Sequence, residues 1–498
     1  MELSTCIAVA AVLLFLLYKY GTRNFNYFKD QGVPGPKPIP FFGNMWRMWS
    51  RNSVDYTLEL SKKYGKVFGF FEGNSPNLFV ADVEWIRAIT VKDFDHFVNR
   101  RDLGMHEKYY RKMLDVLNDQ QWKEVRSAVS PAFTTGKIKK MSEMMKKCCD
   151  LLVERLTPIA QESGKFDAKE VFGTLTVDVI AKCAFSMHID SLGKKDDPFL
   201  KNAINVFSPS WATSPIIVLP FIFPIITKML GESFFISNEF AFFVDVIEKV
   251  VKERSASDKQ FGDFIDLAFE SIRDATKSEN GSKLNWNDEE IEEIVVAQAA
   301  VFFTAGFETT ATTMTVASYV LAKHPEIQDK LHDLVAQKVE QHGDVCYEMF
   351  WDFPYVEQVI NEILRMHSPV IDMERLCGKD FTFNGITVKK GMIVTVPVYA
   401  IHYSEEFYPD PYKFDPDRWD PANKQNRNSY TFLPFGQGPR NCVGMRFAME
   451  ELKFALCTLV RKFKFVSVEE TPEKLQLRNG FQFIIYPMDV IVGVQLRE

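Results

Sequence analysis

The stretch Pro434-Phe435-Gly436-Gln437-Gly438-Pro439-Arg440-Asn441-Cys442-Val443-Gly444 sets one cysteine among three glycines and two prolines, and an amphipathic run from Val443 to about Phe463 follows at once. Glycine accepts positive φ and lets the backbone close around a point. A turn of that kind can aim several N–H groups at one sulfur, and a helix starting beside it adds the positive end of its dipole. Both effects favour the thiolate, the form that ligates a metal. Arg440 adds a cation two residues away. The competing reading is a buried, inert cysteine beside a loop. Cys442 is read here as a metal ligand, and the rest of the chain as what shapes the other side of that metal.

Composition bounds the rest. A length of 498 residues suggests about three domains, yet no Pro/Ser-rich linker, charge block or repeat interrupts the chain after residue 45. A hydrophobic content of 46% with 44 phenylalanines suits a large core and an apolar pocket. The net charge of −7, with no basic domain, argues against nucleic acid as a partner. Cys6, Cys148, Cys149, Cys183, Cys346, Cys377, Cys442 and Cys457 form no paired framework or CxxC, which points to a reducing compartment and away from a zinc site.

The N-terminus carries an apolar run from Leu3 to Tyr18, about 24 Å long as a helix, close to the thinner endoplasmic-reticulum bilayer. A cleaved signal peptide would start basic and end in a small-x-small site, whereas here Glu2 precedes the run and Tyr18-Lys19-Tyr20 ends it. Lys19, Arg23 and Lys29 on the C-terminal side place the main body in the cytosol. The expected organisation is an anchor over residues 1–20, a basic and proline-rich linker over 21–45, and a catalytic body over 46–498. Pro34-Gly35-Pro36-Lys37-Pro38-Ile39-Pro40 reads as a stiff extended spacer.

Further along, Lys66–Phe71 and Asn77–Val80 flank Gly73-Asn74-Ser75-Pro76 as a strand pair, and a helix is expected over Val83–Val91. Trp122 and Arg126 stand i and i+4 and share a helix face. Lys137, Lys139, Lys140, Lys146 and Lys147 form a charge run that usually means a solvated face. The apolar segment 211–226 is broken by three prolines, too interrupted for a spanning helix.

The longest helix is expected from Asp288 to about Ala322, capped by Asn287 or Asn285 and stopped by His324-Pro325. Phe302, Ala305 and Thr309 repeat on one face at i, i+3 and i+7, with Gly306 beside them. A second helix, Tyr355–His367, carries Glu362 and Arg365 at i and i+3. Phe381-Thr382-Phe383-Asn384-Gly385-Ile386-Thr387-Val388 is a hairpin signal around Asn-Gly. Asp372 and Glu374 are read as ordinary solvent-facing strand residues.

Phe435-x-x-Gly438-x-Arg440-x-Cys442-x-Gly444 resembles the haem-binding signature of the cytochrome P450 monooxygenases, with every fixed position filled. Ala305-Gly306-Phe307-Glu308-Thr309-Thr310 resembles that family's oxygen-activation motif, Trp122-x-x-x-Arg126 and Glu362-x-x-Arg365 resemble two more, and Asp415-Pro416-Asp417-Arg418-Trp419 resembles the loop that adds a third partner, Arg418, to the Glu–Arg pair. The resemblance covers essentially the whole chain, most closely the animal microsomal branch that oxidises steroids and drugs. It implies a mainly α fold with small β-sheets and an N-terminal membrane anchor in the endoplasmic reticulum. Cys442 is then the axial ligand of haem b. Trp122, Arg126, Arg375 and Arg100 are placed around the propionates, with Arg440 and Phe435 binding the cofactor from the cysteine loop. Thr309 and Glu308 become the alcohol and acid that bring protons to bound oxygen, because splitting O–O needs two protons. Phe302, Ala305, Gly306, Val370, Ile371 and Met373 face the substrate, and Glu362, Arg365 and Arg418 form a buried structural network.

The implied reaction inserts one atom of O2 into a hydrophobic substrate. No Gly-rich dinucleotide motif follows a strand, so NADPH electrons come through a separate cytochrome P450 reductase, with cytochrome b5 as a further partner. The lysine run is then a candidate contributor to reductase steering, and segment 211–226 is either one that partly dips into the membrane or ordinary core. Two alternatives remain: a haem-thiolate isomerase acting on peroxides without a reductase, and a non-catalytic haem or ligand carrier.

Overall fold

The computed structural model describes residues 3–48, 51–102, 107–162, 164–187, 198–206, 238–256, 259–277, 286–480 and 482–497. The expectation for segment 211–226 lies outside the described residues. The N-terminal apolar run forms helix α1 (Leu3–Thr22), 20 residues and about 30 Å long. It exceeds the apolar run because Lys19–Thr22 continue the turn, with Thr22 Oγ1 donating to the Tyr18 carbonyl (2.8 Å). Its large apolar side chains are exposed on all sides, as suits a helix that crosses a bilayer.

The proline-rich stretch does not stand off as a free spacer. Phe28 packs edge-on against Phe71 with ring centroids 5.4 Å apart. Tyr27 Oη donates to the Thr387 carbonyl (2.7 Å). Gly35 lies so close to the Gly69 carbonyl that a Cβ there would sit 2.2 Å from the oxygen. Met45 in turn joins a buried cluster with Tyr56, Phe68 and Phe79, so no structural break falls at residue 45.

The body is built on helices α2 (Asp119–Val129), α3 (Thr135–Gln161), α4 (Ala168–Phe185), α5 (Phe264–Lys277), α6 (Asp288–Lys323), α7 (Pro354–Met366) and α8 (Met445–Lys462). Helix α6, 36 residues and about 54 Å long, runs through the core. Asn287 caps it: its side chain accepts from the Glu290 N–H (2.9 Å), and Glu290 accepts in return from the Asn287 N–H (2.9 Å). Most of its residues from Ile291 to Ala322 are buried, with apolar side chains and buried threonines on most of its faces. It lies against α4 at Gly306, where an added Cβ would come 3.1 Å from Ile180 Cδ1.

A four-stranded sheet in the order β1 (Val67–Glu72), β2 (Ser75–Val80), β7 (Ile393–Pro397), β4 (Asp372–Leu376) covers one side, with β2 and β7 parallel and the other pairs antiparallel. The Asn-Gly signal makes the two-residue turn between β5 (Phe381–Phe383) and β6 (Ile386–Val388), with Asn384 at φ 49° and Gly385 at φ 78°. The C-terminal strand β11 (Ile491–Leu496) sits between β3 (Lys165–Asp167) and β8 (Phe463–Val466). The expected helix at Val83 ends at Arg87 and continues as a wider turn over Ala88–Lys92.

Candidate active site

The cysteine loop closes on itself through Gly436 N–H to Leu433 carbonyl (3.0 Å), Asn441 N–H to Gly438 carbonyl (3.1 Å) and Cys442 N–H to Phe435 carbonyl (2.8 Å). Gly438 has φ 76°, and a Cβ there would fall 1.9 Å from the Thr90 carbonyl oxygen, so only glycine fits. Helix α8 starts three residues after Cys442. The Cys442 side chain keeps accessible surface, yet burial is the main influence on its thiol and pushes its pKa up. The Gly444 N–H, Arg126 and Arg100 act in the opposite direction and favour the thiolate.

Arg440 is not the cation beside the sulfur that the sequence suggested. Its guanidinium turns away to donate to the Val98 carbonyl (2.6 Å) and the Leu117 carbonyl, and lies 4.9 Å over the Trp122 ring. Arg126 takes the expected neighbouring place, forking onto the Asn441 carbonyl (2.9 Å) and the Asn441 side-chain oxygen (2.9 Å). Asn441 fills an unspecified position of the loop motif, so nothing in the motif pointed to it.

Behind the loop lies a closed network. Glu362 accepts from Arg365 Nε (2.8 Å) and Nη2 (2.9 Å), the Asp415 N–H (3.1 Å), Arg418 Nε (3.3 Å) and Trp419 Nε1 (2.9 Å). Arg365 also donates to the His402 carbonyl (2.8 Å). His402 then links the network to the cysteine loop. Its Nδ1 donates to the Arg365 carbonyl (2.8 Å), and its Nε2 accepts from the Leu433 N–H (3.0 Å). Those bonds require the neutral ring, and burial accordingly pushes its pKa down to about 3. In the sequence His402 is one histidine in an apolar run, with no motif to separate it from an ordinary core residue.

The opposite situation holds where β4 meets the loop. Asn99 and Leu376 form an isolated bridge, which brings Arg100 beside Arg375. Burial, then Arg100, then Arg440 push the Arg375 guanidinium well below its ordinary pKa. Arg440 is pushed down to about 9 by burial first and Arg100 second, with Asp115 opposing. Nε of Arg375 and Nε of Arg440 are both buried without a hydrogen-bond partner. Among the described residues no carboxylate forms an ion pair with either arginine.

On helix α6, Ala305 is exposed and Gly306 and Thr309 are partly exposed in the middle of a helix most of whose residues are buried, so this short face borders open space. Thr309 Oγ1 donates to the Ala305 carbonyl (2.7 Å). Phe302 is packed instead among aromatic rings, stacked on Phe264 (4.6 Å) and against Phe447 of α8 (5.1 Å). Glu308 is buried and paired with Lys169 of α4.

On β4, Met373 lies near the cysteine loop, its Sδ 3.7 Å from where a Cβ on Gly436 would be. Val370 is half-exposed, whereas Ile371 is buried with Val54, Tyr399 and Ile485. The reading of Asp372 and Glu374 as solvent-facing is corrected. Arg101 forks onto Glu374 (2.5 Å at both contacts) and onto Glu72 of β1 (2.7 and 3.0 Å), which covers that face. Burial first, with Glu374 and Glu72 adding to it, pushes the Asp372 carboxyl well above its ordinary pKa.

These features form a test for a bound group. A metal on Cys442 has one protein sulfur and must bring its other ligands with it. The unfilled buried arginine donors call for an anion within the same structure. A metal macrocycle bearing carboxylates meets both demands, and haem is such a group. The residues present therefore fit a haem held on the Cys442 sulfur.

Comparison with known sequences agrees. The family model "Cytochrome P450" matches residues 33–492. The chain is 36% identical to "Cytochrome P450 3A31" of Mesocricetus auratus over 97% of its own length and 96% of that protein's. It is 34% identical to "Cytochrome P450 3A2" of Rattus norvegicus and 35% identical to "Cytochrome P450 3A14" of Cavia porcellus, each over 97% of this chain and 94% of the relative. This chain belongs to the cytochrome P450 family. It is a haem b monooxygenase that uses O2 and takes NADPH electrons through cytochrome P450 reductase, with cytochrome b5 as a further partner and hydrophobic molecules as substrates. It is a protein of the endoplasmic-reticulum membrane, and α1 is consistent with a single-pass anchor.

Proposed function

We propose the following division of labour for the oxidation of hydrophobic xenobiotics, steroids or lipids. Cys442 would hold the haem iron, and Phe435 packs in its loop. Arg375, Arg440 and Arg100 would receive the haem carboxylates, while Trp122 and Arg126 brace Arg440 and the loop. Haem held on this thiolate would supply the electron-rich iron that activates dioxygen. Ala305 and Gly306 keep the α6 face low enough for a substrate to approach. Val370 and Met373 border the opening, and Ile371 and Phe302 pack behind them. The Thr309 hydroxyl, anchored through its hydrogen to Ala305, keeps its oxygen lone pairs free to accept a proton in exchange, and Glu308 is the acid one residue away. Glu362, Arg365 and Arg418 hold the loop in place.

The observation that carries this reading is the accessible face Ala305–Thr309 within a buried helix. The family findings support the oxygenase, not the isomerase or carrier. Cys442→Ala should abolish the red-shifted Soret band of the reduced carbon monoxide complex and all oxygenation. Retention of that band would overturn the ligand assignment. Thr309→Ala should keep the haem spectrum while product formed per NADPH falls at least about tenfold and hydrogen peroxide rises. Unchanged coupling would remove Thr309 from proton handling.

A further inference from the structure

Strand β4 and the two residues before it present two unlike faces. Ile371, Met373 and Arg375 are buried, while Val370, Asp372 and Glu374 keep accessible surface. This alternation is that of an edge strand with one packed face, and β4 is the edge of its sheet. A bridge from Val370 to Ile484 and the Ile371 N–H donated to the Phe483 carbonyl (3.2 Å) fix the start of the segment.

The acids on the accessible face are not served alike. Arg101 forks onto Glu374 and Glu72. Glu72 also accepts from Asn77 Nδ2 (3.0 Å), and Asn77 Oδ1 accepts from Thr395 Oγ1 (3.0 Å). Asp372 is left outside that set. Its Oδ1 is buried without a hydrogen-bond partner, and among the described residues no cation lies within ion-pair distance of its carboxylate. Burial is the largest influence on this carboxyl; of the charges acting on it, Glu374 and Glu72 repel and only Arg101 attracts. Since the side chain still keeps accessible surface, what it borders is a confined space. Arg100 acts on both Glu374 and the Cys442 sulfur, so one guanidinium reaches the acid face and the cysteine loop together.

A desolvated carboxylate with more like than opposite charge around it is short of one cation. Among the described residues no group of acids, histidines and cysteines is set to hold a metal ion, so a single organic cation suits the place better. We propose that Asp372 is a specificity-determining residue: it receives a positively charged nitrogen carried by the substrate, so that hydrophobic amines, protonated at neutral pH, are preferred over neutral and acidic molecules of similar size. This rests on the reading above that Val370 and Met373 border the substrate opening.

Three decyl probes that differ in their headgroup test it: decyltrimethylammonium, 1-decanol and decanoate. The quaternary nitrogen has no lone pair for iron, so it reports charge alone. In calorimetric titrations of the holoenzyme in uncharged detergent, wild type should bind the cation most tightly and decanoate least. Asp372→Asn should weaken the cation about tenfold or more and leave 1-decanol unchanged. Asp372→Glu should keep the wild-type order, and Asp372→Lys should favour decanoate; if the lysine variant fails to fold, the asparagine variant decides. In turnover of decyltrimethylammonium, Asp372→Asn should raise KM with kcat little changed. Equal affinity of wild type for the three probes, or an asparagine variant that still prefers the cation, would overturn the proposal. A loss shared equally by all three probes would make Asp372 structural and overturn it too. Val370→Phe should weaken all three alike. If it weakens none, the placement of the opening beside Val370 is wrong, and the asparagine variant still decides for or against Asp372.

Discussion

Two sets of buried charge meet at the cysteine loop, and they are built on opposite terms. Around Glu362 every strong donor and acceptor has a partner: the carboxylate takes bonds from two arginines, an indole and a backbone amide. Around Arg375 and Arg440 like charges crowd together, and a buried Nε on each is left without a partner. Burying charge costs several kcal/mol per ion unless pairing offsets it. The balanced set has its compensation inside the chain, so its function is internal: it fixes where the loop sits. The unbalanced set has backbone carbonyls but no ion-paired carboxylate among the described residues, which fits its proposed role of receiving an anion.

Removing charge from the balanced side should have the larger effect. Glu362→Ala leaves Arg365, fully buried, without its carboxylate. It should cost about 3–5 kcal/mol in unfolding free energy and release haem on heating well before wild type does. Replacing Glu362 and Arg365 together by leucine should cost less than the single change, since no lone charge remains. A single variant as stable as wild type would mean that the network is incidental to the fold.

Removing charge from the unbalanced side should have a different signature. Arg375→Leu takes away a desolvated cation that repels Arg100 and Arg440, so the backbone melting followed by circular dichroism should change little. Haem should nonetheless leave the holoenzyme about 10–100-fold faster, the equivalent of about 1.5–3 kcal/mol for charge-assisted hydrogen bonds. If stability and haem retention fell together, Arg375 would be structural and the contrast between the two sets would fail.

What was legible beforehand divides along similar lines. Local rules carried far: the Asn287 cap, the stop at His324-Pro325 and the Asn384-Gly385 turn are each decided by neighbours within a few residues. Motif resemblance added Arg418 as a partner of Glu362 across 56 positions. Contacts outside motifs did not show. Asn441, His402 and Lys169 act on residues 315, 37 and 139 positions away, and their own sequence contexts are ordinary. The strand alternation that made Asp372 and Glu374 look solvent-facing was correct about two faces. It could not show that Arg101 and Glu72 cover the second one. Arg440 was misplaced for a related reason: sequence proximity to Cys442 says nothing about the direction in which a long side chain leaves a tight turn.

The smallest effect per unit of perturbation tests the link between the balanced set and the loop. His402 must stay neutral to donate to Arg365 and accept from Leu433, and its pKa of about 3 compares with 6.5 for a free ring. Above pH 6.5 the ring is neutral in both folded and unfolded chains and adds no pH dependence. Below it the unfolded chain binds a proton that the folded one refuses, so stability falls as pH falls, by about 1.4 kcal/mol per pH unit until about pH 3. Glutamine can make the same two hydrogen bonds without titrating. The difference in unfolding free energy between wild type and His402→Gln should therefore be flat above pH 6.5 and should turn against wild type by about that slope between pH 6 and 5. His367, pushed down to about 4 by burial, titrates alike in both proteins and cancels. A difference that stays flat down to pH 5 would mean that the ring is not held neutral between Arg365 and Leu433, and that the charge network and the cysteine loop are coupled by packing alone.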